Sequence, residues 1–543
     1  MKTTKTVYLV PLLAFLLVML QQAWMRESRS AIGGMKAEES QKLGGLGKIK
    51  GFHNDDSVTV STDKATVSIS LHGGAVTGVS LHDFKQSLHD PKPFSMLSND
   101  PKHLYIGQTG MSGDADLTYK SAKKSYSLPD GMDELTVKLQ AEDSFGKTYT
   151  KTFRFQRGAY DFSITSAVEN KGRGSWTGAH YNRFIFRHDT DSSVNAKDIP
   201  IDMDAPKAGW FTFSTYTGPA YYSDSKPYVK LPFHSVEKSP LRTSIDGSGW
   251  VAMQQRYFIS AMIPQSDSPH TVTATWQKGV SDQDDETYRS LFNFATVGQK
   301  VTLAPGEKTE AESRFYVGPE EAKRLSLLAK GLELTVDYGW LWFISDLLFQ
   351  SLVFIQHYLH SWGLSIIMLV CVVKLAFYKL SESSYKAMAK QKKLQPKIEA
   401  INEKYKDDAQ KRSQELMDVY RKESINPISG CLPTLLQMPF FIALYYVLIE
   451  SVKLRFEPFL WLPDLSGSDP FFILPILFCL SMLLMQKLQP SPQQDKSQAN
   501  AMLFMPFAMS IMMAKMPSGL LVYWVTNNAL SAVQQWFVMR HYK

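Results

Sequence analysis

Five apolar runs in the last third of the chain limit its possible folds more than any other feature. They are Trp362–Tyr378, Cys431–Ile449, Phe471–Leu488, Ala501–Met516 and Leu520–Val538. Each comes close to the length that crosses a hydrocarbon core of about 30 Å as a helix. A sixth run, Val7–Leu20, follows Lys2 and Lys5 and resembles a secretory signal. Trp24 and Met25 stand where cleavage wants small residues, so it reads as an anchor that stays. Six spans then put the polar region 55–318 outside and the loop 379–430 inside. Lys and Arg outnumber Asp and Glu between Lys379 and Lys422, which matches the positive-inside bias. Residues 340–360 are also apolar, but Asp346, Gln350 and His357 form a polar stripe along them. A span there would turn the basic loop outward. We therefore read it as a helix lying in the interface, with Trp340, Trp342 and Phe343 at its start.

Between about 55 and 318 the apolar residues recur at every second position. Val58 and Val60, then Ala65, Val67, Ile69 and Leu71, alternate with polar residues up to a Gly73-Gly74 turn. Phe153 and Phe155, an Arg157-Gly158 turn, then Tyr160, Phe162 and Ile164 outline a second hairpin. Many short strands with one apolar face each are buried by stacking two sheets. The expected order is a transmembrane signal anchor (1–25), a flexible linker (26–54) and a β-sandwich domain (55–320). A connector with the interfacial amphipathic helix (321–361) and a helical core (362–543) follow. Within the core, the loop 380–425 reads as a helical hairpin that packs on something. Leu394, Ile398, Ile401 and Tyr405 make one seam, Leu416, Val419 and Tyr420 the other, and Lys406-Asp407-Asp408 the turn.

Several function classes drop out. The chain of 543 residues has a net charge of +7, but the excess is concentrated in one loop, so topology explains it better than direct nucleic-acid binding. Cys371, Cys431 and Cys479 all lie in apolar runs, which excludes a disulfide framework. No HExxH, CxxC or GxSxG occurs, and Gly44-Gly45-Leu46-Gly47-Lys48 lacks the spacing and the Ser/Thr of a P-loop. His82-Asp83, His89-Asp90 and His188-Asp189 are adjacent pairs, whose side chains point to opposite faces of a strand and cannot relay a proton alone. The expectation is a protein that is not an enzyme and uses no metal or cofactor.

The membrane half carries the signal. Lys374 lies near the inner end of its span, where an ammonium costs about 2.5–3.5 kcal/mol if held at the helix centre and less if it snorkels to the interface. Gln437, Asn528, Ser531, Gln534 and Gln535 fall in the inner halves of theirs, with Asn527 near the middle of the last span. Asn527, Ser531 and Gln534 share a helical face, while the outer halves stay apolar. The expected result is a hydrated cavity open inward and closed outward. That is not a channel. A small-solute transporter with an appended sensor domain is the rival reading, although no internal repeat supports it. The run Ala501–Met516 spans only about 24 Å, so the bilayer should thin around it. Its Met502, Met505, Met509, Met512, Met513 and Met516 suit varied apolar partners.

Several motifs in order also resemble the YidC-type membrane protein insertases. They are Leu334-Thr335-Val336-Asp337-Tyr338-Gly339-Trp340-Leu341-Trp342 and Leu394-Gln395-Pro396-Lys397-Ile398. Asn426-Pro427 through Gly430-Cys431-Leu432-Pro433, the stretch Gln437-Met438-Pro439-Phe440-Phe441-Ile442-Ala443-Leu444-Tyr445-Tyr446, and Pro517-Ser518-Gly519-Leu520 complete the set. The likeness covers about residues 330–540. The preceding domain, with Gly249-Trp250-Val251-Ala252-Met253, resembles the periplasmic domain of the Gram-negative branch.

The resemblance implies a multi-domain protein of the bacterial inner membrane with six transmembrane α-helices, both termini cytoplasmic. These are an N-terminal anchor plus a five-helix core around an inward-open groove, with a periplasmic all-β supersandwich and a cytoplasmic helical hairpin. It implies an insertase and chaperone for nascent membrane proteins, acting alone or with the Sec translocon. Ribosomes would dock on the hairpin and loops, and less on the tail, which ends at Arg540-His541-Tyr542-Lys543. The family's groove carries a positive residue, usually arginine, where this chain has Lys374, which keeps the charge without the planar fork. Val370 stands where some relatives have a polar residue. The implied groove is Lys374, Gln437, Asn527, Asn528, Ser531, Gln534 and the aromatic pair Tyr523 and Trp524. Met438, Phe441, Met505 and Met509 would form the apolar slide for a substrate helix.

Overall fold

The computed structural model describes residues 56–100, 104–187, 216–278, 290–405, 408–423, 432–488 and 496–541. The expected anchor and linker lie outside the described residues, as do His188-Asp189, Lys406-Asp407 and the Asn426-Pro427 to Cys431 motif. The described chain divides into two compact units, one ending at Val336 and one starting at Asp337.

In the first unit the period of two becomes sheet. Ser57–Ser61 pairs antiparallel with Ala65–Ser70, Val58 opposite Ile69. Lys147–Gln156 and Asp161–Asn170 form the second expected hairpin, Phe155 opposite Phe162. A ten-stranded sheet runs from Leu241–Ile245 through His270–Lys278, Ser290–Val297, His180–Arg187 and Tyr105–Met111 to the N-terminal strands. A nine-stranded sheet is built around Phe258–Pro264, Lys308–Pro319, Asp161–Asn170 and Lys147–Gln156.

The two sheets stack. Phe184 meets Phe315 with ring centroids 5.8 Å apart, and the Tyr105 hydroxyl hydrogen-bonds Ser260 across the layers. Gly107 is required in this core, because a Cβ there would lie 2.5 Å from the Phe315 ring. Two short helices, α1 (Phe233–Lys238) and α2 (Ala322–Leu328), belong to this unit. His82 and Asp83 take separate partners. His82 bonds Thr66 at 2.9 Å, while Asp83 holds Lys64 at 2.8 Å and the Tyr160 hydroxyl. His89-Asp90 sits in the connection after Val76–Lys85.

The second unit is helical. It comprises α3 (Trp342–Leu359), α4 (Trp362–Ala376), α5 (Tyr378–Lys393), α6 (Gln395–Lys404), α7 (Ala409–Lys422), α8 (Leu432–Glu450), α9 (Ile473–Leu488), α10 (Lys496–Met513) and α11 (Ser518–His541). The loop read as a hairpin holds three helices rather than two. Helices α6 and α7 face each other, with Lys397 and Glu423 at 2.9 Å. Pro396 in the first turn of α6 marks the break after α5, and Asp408 caps α7 by accepting from the Lys411 amide at 2.9 Å. Helix α5 continues α4 after a bend of 69° and packs on α11 through Tyr385, Met388 and Val538. Sequence missed it because its first residues look like the charged loop. Its buried Ser381, Ser384, Tyr385, Met388 and Ala389 nevertheless keep the helical spacing.

Among the described residues no single helix is long and apolar enough to cross a membrane, and only the bent pair α4–α5 passes jointly. The apolar stretches are Gln437–Glu450, Ile473–Leu488 and Leu503–Met513. Helix α3 buries Ser345, Leu348 and Leu352 and leaves Trp342, Phe343, Leu347 and Phe354 exposed. The Ser345 hydroxyl donates to the Ala443 carbonyl of α8 at 3.2 Å.

Burial in the β unit pushes the His180 imidazole down to about 3, helped by the nearby His270 and Lys151. Unfolding restores it to near 6.5. The unfolded chain therefore binds the extra proton between these values, and stability is full above pH 6.5 and lost as pH falls towards 3. The loss attributable to His180 should reach about 2 kcal/mol at pH 5. Thermal unfolding followed by tryptophan fluorescence should show that acid-side slope, and His180→Asn should flatten it. An unchanged slope would remove His180 as its source.

Candidate functional site

Lys374 lies in the last turn of α4 and is only 8% exposed. Its ammonium donates to the Ser531 hydroxyl of α11 at 2.7 Å and, less closely, to the Gln437 amide oxygen of α8 at 3.4 Å. Ser531 in turn donates to the Asn527 carbonyl one turn earlier at 2.7 Å. Three helices thus converge on one buried cation. Both of these partners are neutral, so the charge is coordinated without being cancelled.

The other expected groove residues divide. Gln534 reaches the Tyr378 carbonyl at 3.4 Å, beside the α4–α5 bend. Asn528 does not join Lys374. Its amide donates instead to Ser481 of α9 at 3.0 Å. Gln535 likewise turns to the Leu488 carbonyl at 3.1 Å. Tyr523 and Trp524 both meet Phe441, at centroid distances of 6.0 and 4.7 Å, and Trp524 also contacts Phe478.

Phe441, expected on the slide, packs on this aromatic pair and is half-buried. Met438 and Met505 are exposed and Met509 is half-buried. One participant escaped the sequence reading. Ser481 sits in an otherwise apolar run and bonds Asn528. Its helical spacing was the only available signal.

The opposite end of the bundle is closed by the segment between α8 and α9. The Ser518 and Gly519 amides at the start of α11 donate to the Gly467 and Leu465 carbonyls at 2.6 and 2.9 Å. The Ser518 hydroxyl donates to the Asp464 carbonyl at 2.7 Å, and Asp464 itself accepts from the Phe456 amide at 2.9 Å. Gly363, in the first turn of α4, has no room for a Cβ, which would lie 2.1 Å from the Phe459 ring. Leu454, Leu462 and Leu465 are buried beneath this cap. Among the described residues no group of three His, Cys, Asp or Glu could hold a metal ion.

A family model described as the 60Kd inner membrane protein matches residues 354–543, and one described as the YidC periplasmic domain matches residues 57–351. The membrane protein insertase YidC of Marinomonas sp. is 40% identical over 492 residues, covering 89% of this chain and 85% of that protein. The insertase of Alcanivorax borkumensis is 38% identical over 509 residues, covering 89% and 84%. This chain belongs to the YidC family of membrane protein insertases. A solved active YidC insertase covers 89% of this chain and 92% of its own, at 15% identity and a TM-score of 0.38.

Membership of the YidC family brings an inner-membrane helical core and a periplasmic β-rich domain, and these relatives give the transporter reading no support. Within the core, the geometry separates a structural asparagine from the Lys374 cluster. A double-mutant cycle of Asn528→Ala with Ser481→Ala in the purified protein should give a coupling of about 0.6 kcal/mol, the usual size for such a bond in a membrane. The cycle of Asn528→Ala with Ser531→Ala should be additive. Coupling only in the second cycle would place Asn528 in the cluster after all.

Proposed function

We propose that this YidC-family insertase takes the polar flank of a nascent membrane protein into a groove around Lys374 and releases the apolar helix sideways into lipid. The reading rests on a buried ammonium whose two hydrogen-bond partners, Ser531 and Gln437, are neutral. Such a cation attracts an acidic or polar flank, and in a low-dielectric bundle that attraction is stronger than in water. Asn527 and Gln534 supply further polar groups on the same helix face, Tyr523 and Trp524 form the groove's aromatic wall, and Asn528 acts on that wall from behind.

Exposed apolar side chains on α10, Leu503, Phe504, Met505, Phe507 and Ile511, with Met438 of α8, offer the slide. Met509 extends it, and Phe441 supports it from the groove side. Transfer of each Leu, Ile, Phe or Val to the bilayer centre gains about 0.3–0.6 kcal/mol. No nucleotide is needed.

In this reading six spans cross the membrane, namely the anchor (1–25) and the five core runs, with both termini cytoplasmic. The β unit is then periplasmic, α3 lies in the interface, and α5, α6 and α7 face the cytoplasm. The Sec translocon is a partner in the membrane, and ribosomes approach the α6–α7 hairpin. The short apolar stretch Leu503–Met513 supports a bilayer thinned beside the groove.

Lys374→Glu should lower insertion of a single-span client with an acidic outer flank about ten-fold, equivalent to ~1.4 kcal/mol, while the protein accumulates normally. Lys374→Arg should retain insertion. Protease protection of the client's outer flank measures both, and unaltered insertion by Lys374→Glu would remove the residue from the mechanism. Deleting residues 60–310 should leave most insertion intact. Complete loss in a stably accumulating truncation would overturn the assignment of insertion to the core.

A further inference from the structure

The cap between α8 and α9 holds three bulky residues in the left-handed backbone conformation that glycine favours, Phe456 at φ +60°, Leu460 at +54° and Phe472 at +56°. Phe456 is half-buried, with the Arg455 guanidinium 4.1 Å from its ring centroid. Leu460 and Phe472 are 77% and 57% exposed, and Phe471 is 65% exposed. One exposed leucine is ordinary. An apolar side chain that is both exposed and held in a strained backbone is not, because glycine there would relieve the strain and sacrifice little packing.

Both tips are fixed in place. Leu460 and Trp461 form a two-residue turn closed by reciprocal backbone bonds between Phe459 and Leu462, each 2.9 Å, and the Phe459 ring packs on Gly363 in the first turn of α4. The buried Asp469 carboxylate accepts from the Phe471 amide at 3.0 Å and the Leu474 amide at 2.7 Å, which sets the aromatic pair at the entry to α9. Each tip also continues an exposed apolar row. On α9, Ile476, Leu480 and Leu484 follow Phe472 at steps of four, and the Ile476 amide donates to the Phe472 carbonyl at 3.2 Å. On α4 the exposed row starts at Leu364, next to the glycine that seats the turn. Lys453 and Arg455 are balanced by Glu457, Asp464 and Asp469 in the same segment, so its net charge does not draw it to anionic headgroups.

We propose that Leu460 and the Phe471-Phe472 pair are apolar prongs that lodge the cap among the acyl chains of the leaflet opposite Lys374. Burial in lipid offsets the backbone strain, which exposure to water does not. The cap end of the bundle is then held at acyl depth instead of above the headgroups, and the bilayer meets the short helix α9 there. This rests on the six-span reading given above. It adds a lipid-binding surface, apolar rather than electrostatic, to a segment otherwise left as a connecting loop.

The test uses the full chain in phosphatidylcholine vesicles, with Cys371, Cys431 and Cys479 replaced by serine. One cysteine at a time, Leu460→Cys, Phe472→Cys, Ser468→Cys or Leu480→Cys, carries a nitrobenzoxadiazole dye. Dyes at positions 460 and 472 should emit to the blue, be quenched by phospholipid with a nitroxide near the glycerol end of its acyl chain, and escape quenching by aqueous iodide. The dye on the exposed Ser468→Cys of the same cap should stay open to iodide, and that on Leu480→Cys should be quenched by a nitroxide near the methyl end. Adding phosphatidylglycerol should change none of this. Iodide quenching at 460 and 472, with position 480 still quenched from lipid, would overturn the prongs and leave the spans standing. Lipid quenching at 468 as strong as at 460 would overturn them too, since the dye would then be choosing the depth. Lipid quenching that needs phosphatidylglycerol would replace apolar insertion by charge and overturn the proposal. Iodide quenching at 480 would overturn the six-span reading and this inference together.

Discussion

The contact between the Lys374 ammonium and the Ser531 hydroxyl is the constraint around which the helical unit is arranged. A buried cation is tolerated only if its hydration is replaced. Here the replacement comes from a hydroxyl and an amide on two other helices, so α4, α8 and α11 must hold a common register. Ser531 can accept from Lys374 because its own proton is spent on the Asn527 carbonyl. A carboxylate would have satisfied the ammonium more cheaply and left nothing to attract a client. Neutral ligands keep the charge in place and keep it available.

That arrangement is useful only if the far end of the bundle stays shut. The cap between α8 and α9 is fastened by backbone amides of Ser518 and Gly519 and by packing of Phe459 against Gly363, both of which depend on small residues. Leu454, Leu462 and Leu465 are buried in it together with Ser451 and Asp469. In the proposed groove, the Lys374 end admits a peptide flank while this cap packs the other end. This is the physical difference between the proposed insertase groove and a channel or a solute carrier.

Much of this was legible in the sequence, and the failures have one cause. Alternation of period two gave the strand faces, as Val58, Val60, Phe153 and Phe162 illustrate, because a strand residue has only two directions to choose from. Depth along an apolar run likewise brought Lys374, Gln437 and Ser531 to one level. Rotation was not legible. Asn528 turns to Ser481 of α9 while Ser531 on the same helix meets Lys374 of α4, and the half-buried Phe441 packs on Tyr523 and Trp524. A helix residue has a full circle of directions, and only the partner helices decide among them. The same limit hid α5, whose polar composition suggested a loop although its buried residues follow a helical stripe.

The shortness of the apolar helices completes the physical picture. Leu503–Met513 lies in the apolar run Ala501–Met516, which extends about 24 Å along a helix, short of an ordinary hydrocarbon core of about 30 Å. Matching a bilayer to such a stretch costs fractions of a kcal/mol per Å, a modest and recurrent cost carried by the folded insertase. Carrying a charged flank through an unperturbed core costs several kcal/mol per charge, and each client would meet that barrier anew. In the proposed mechanism, a thinned bilayer beside the Lys374 groove moves part of the barrier from the client to the resident protein. Once the flank is across, burial of the client's own apolar side chains makes its departure into lipid downhill, which is why no chemical energy source has to be built into the fold.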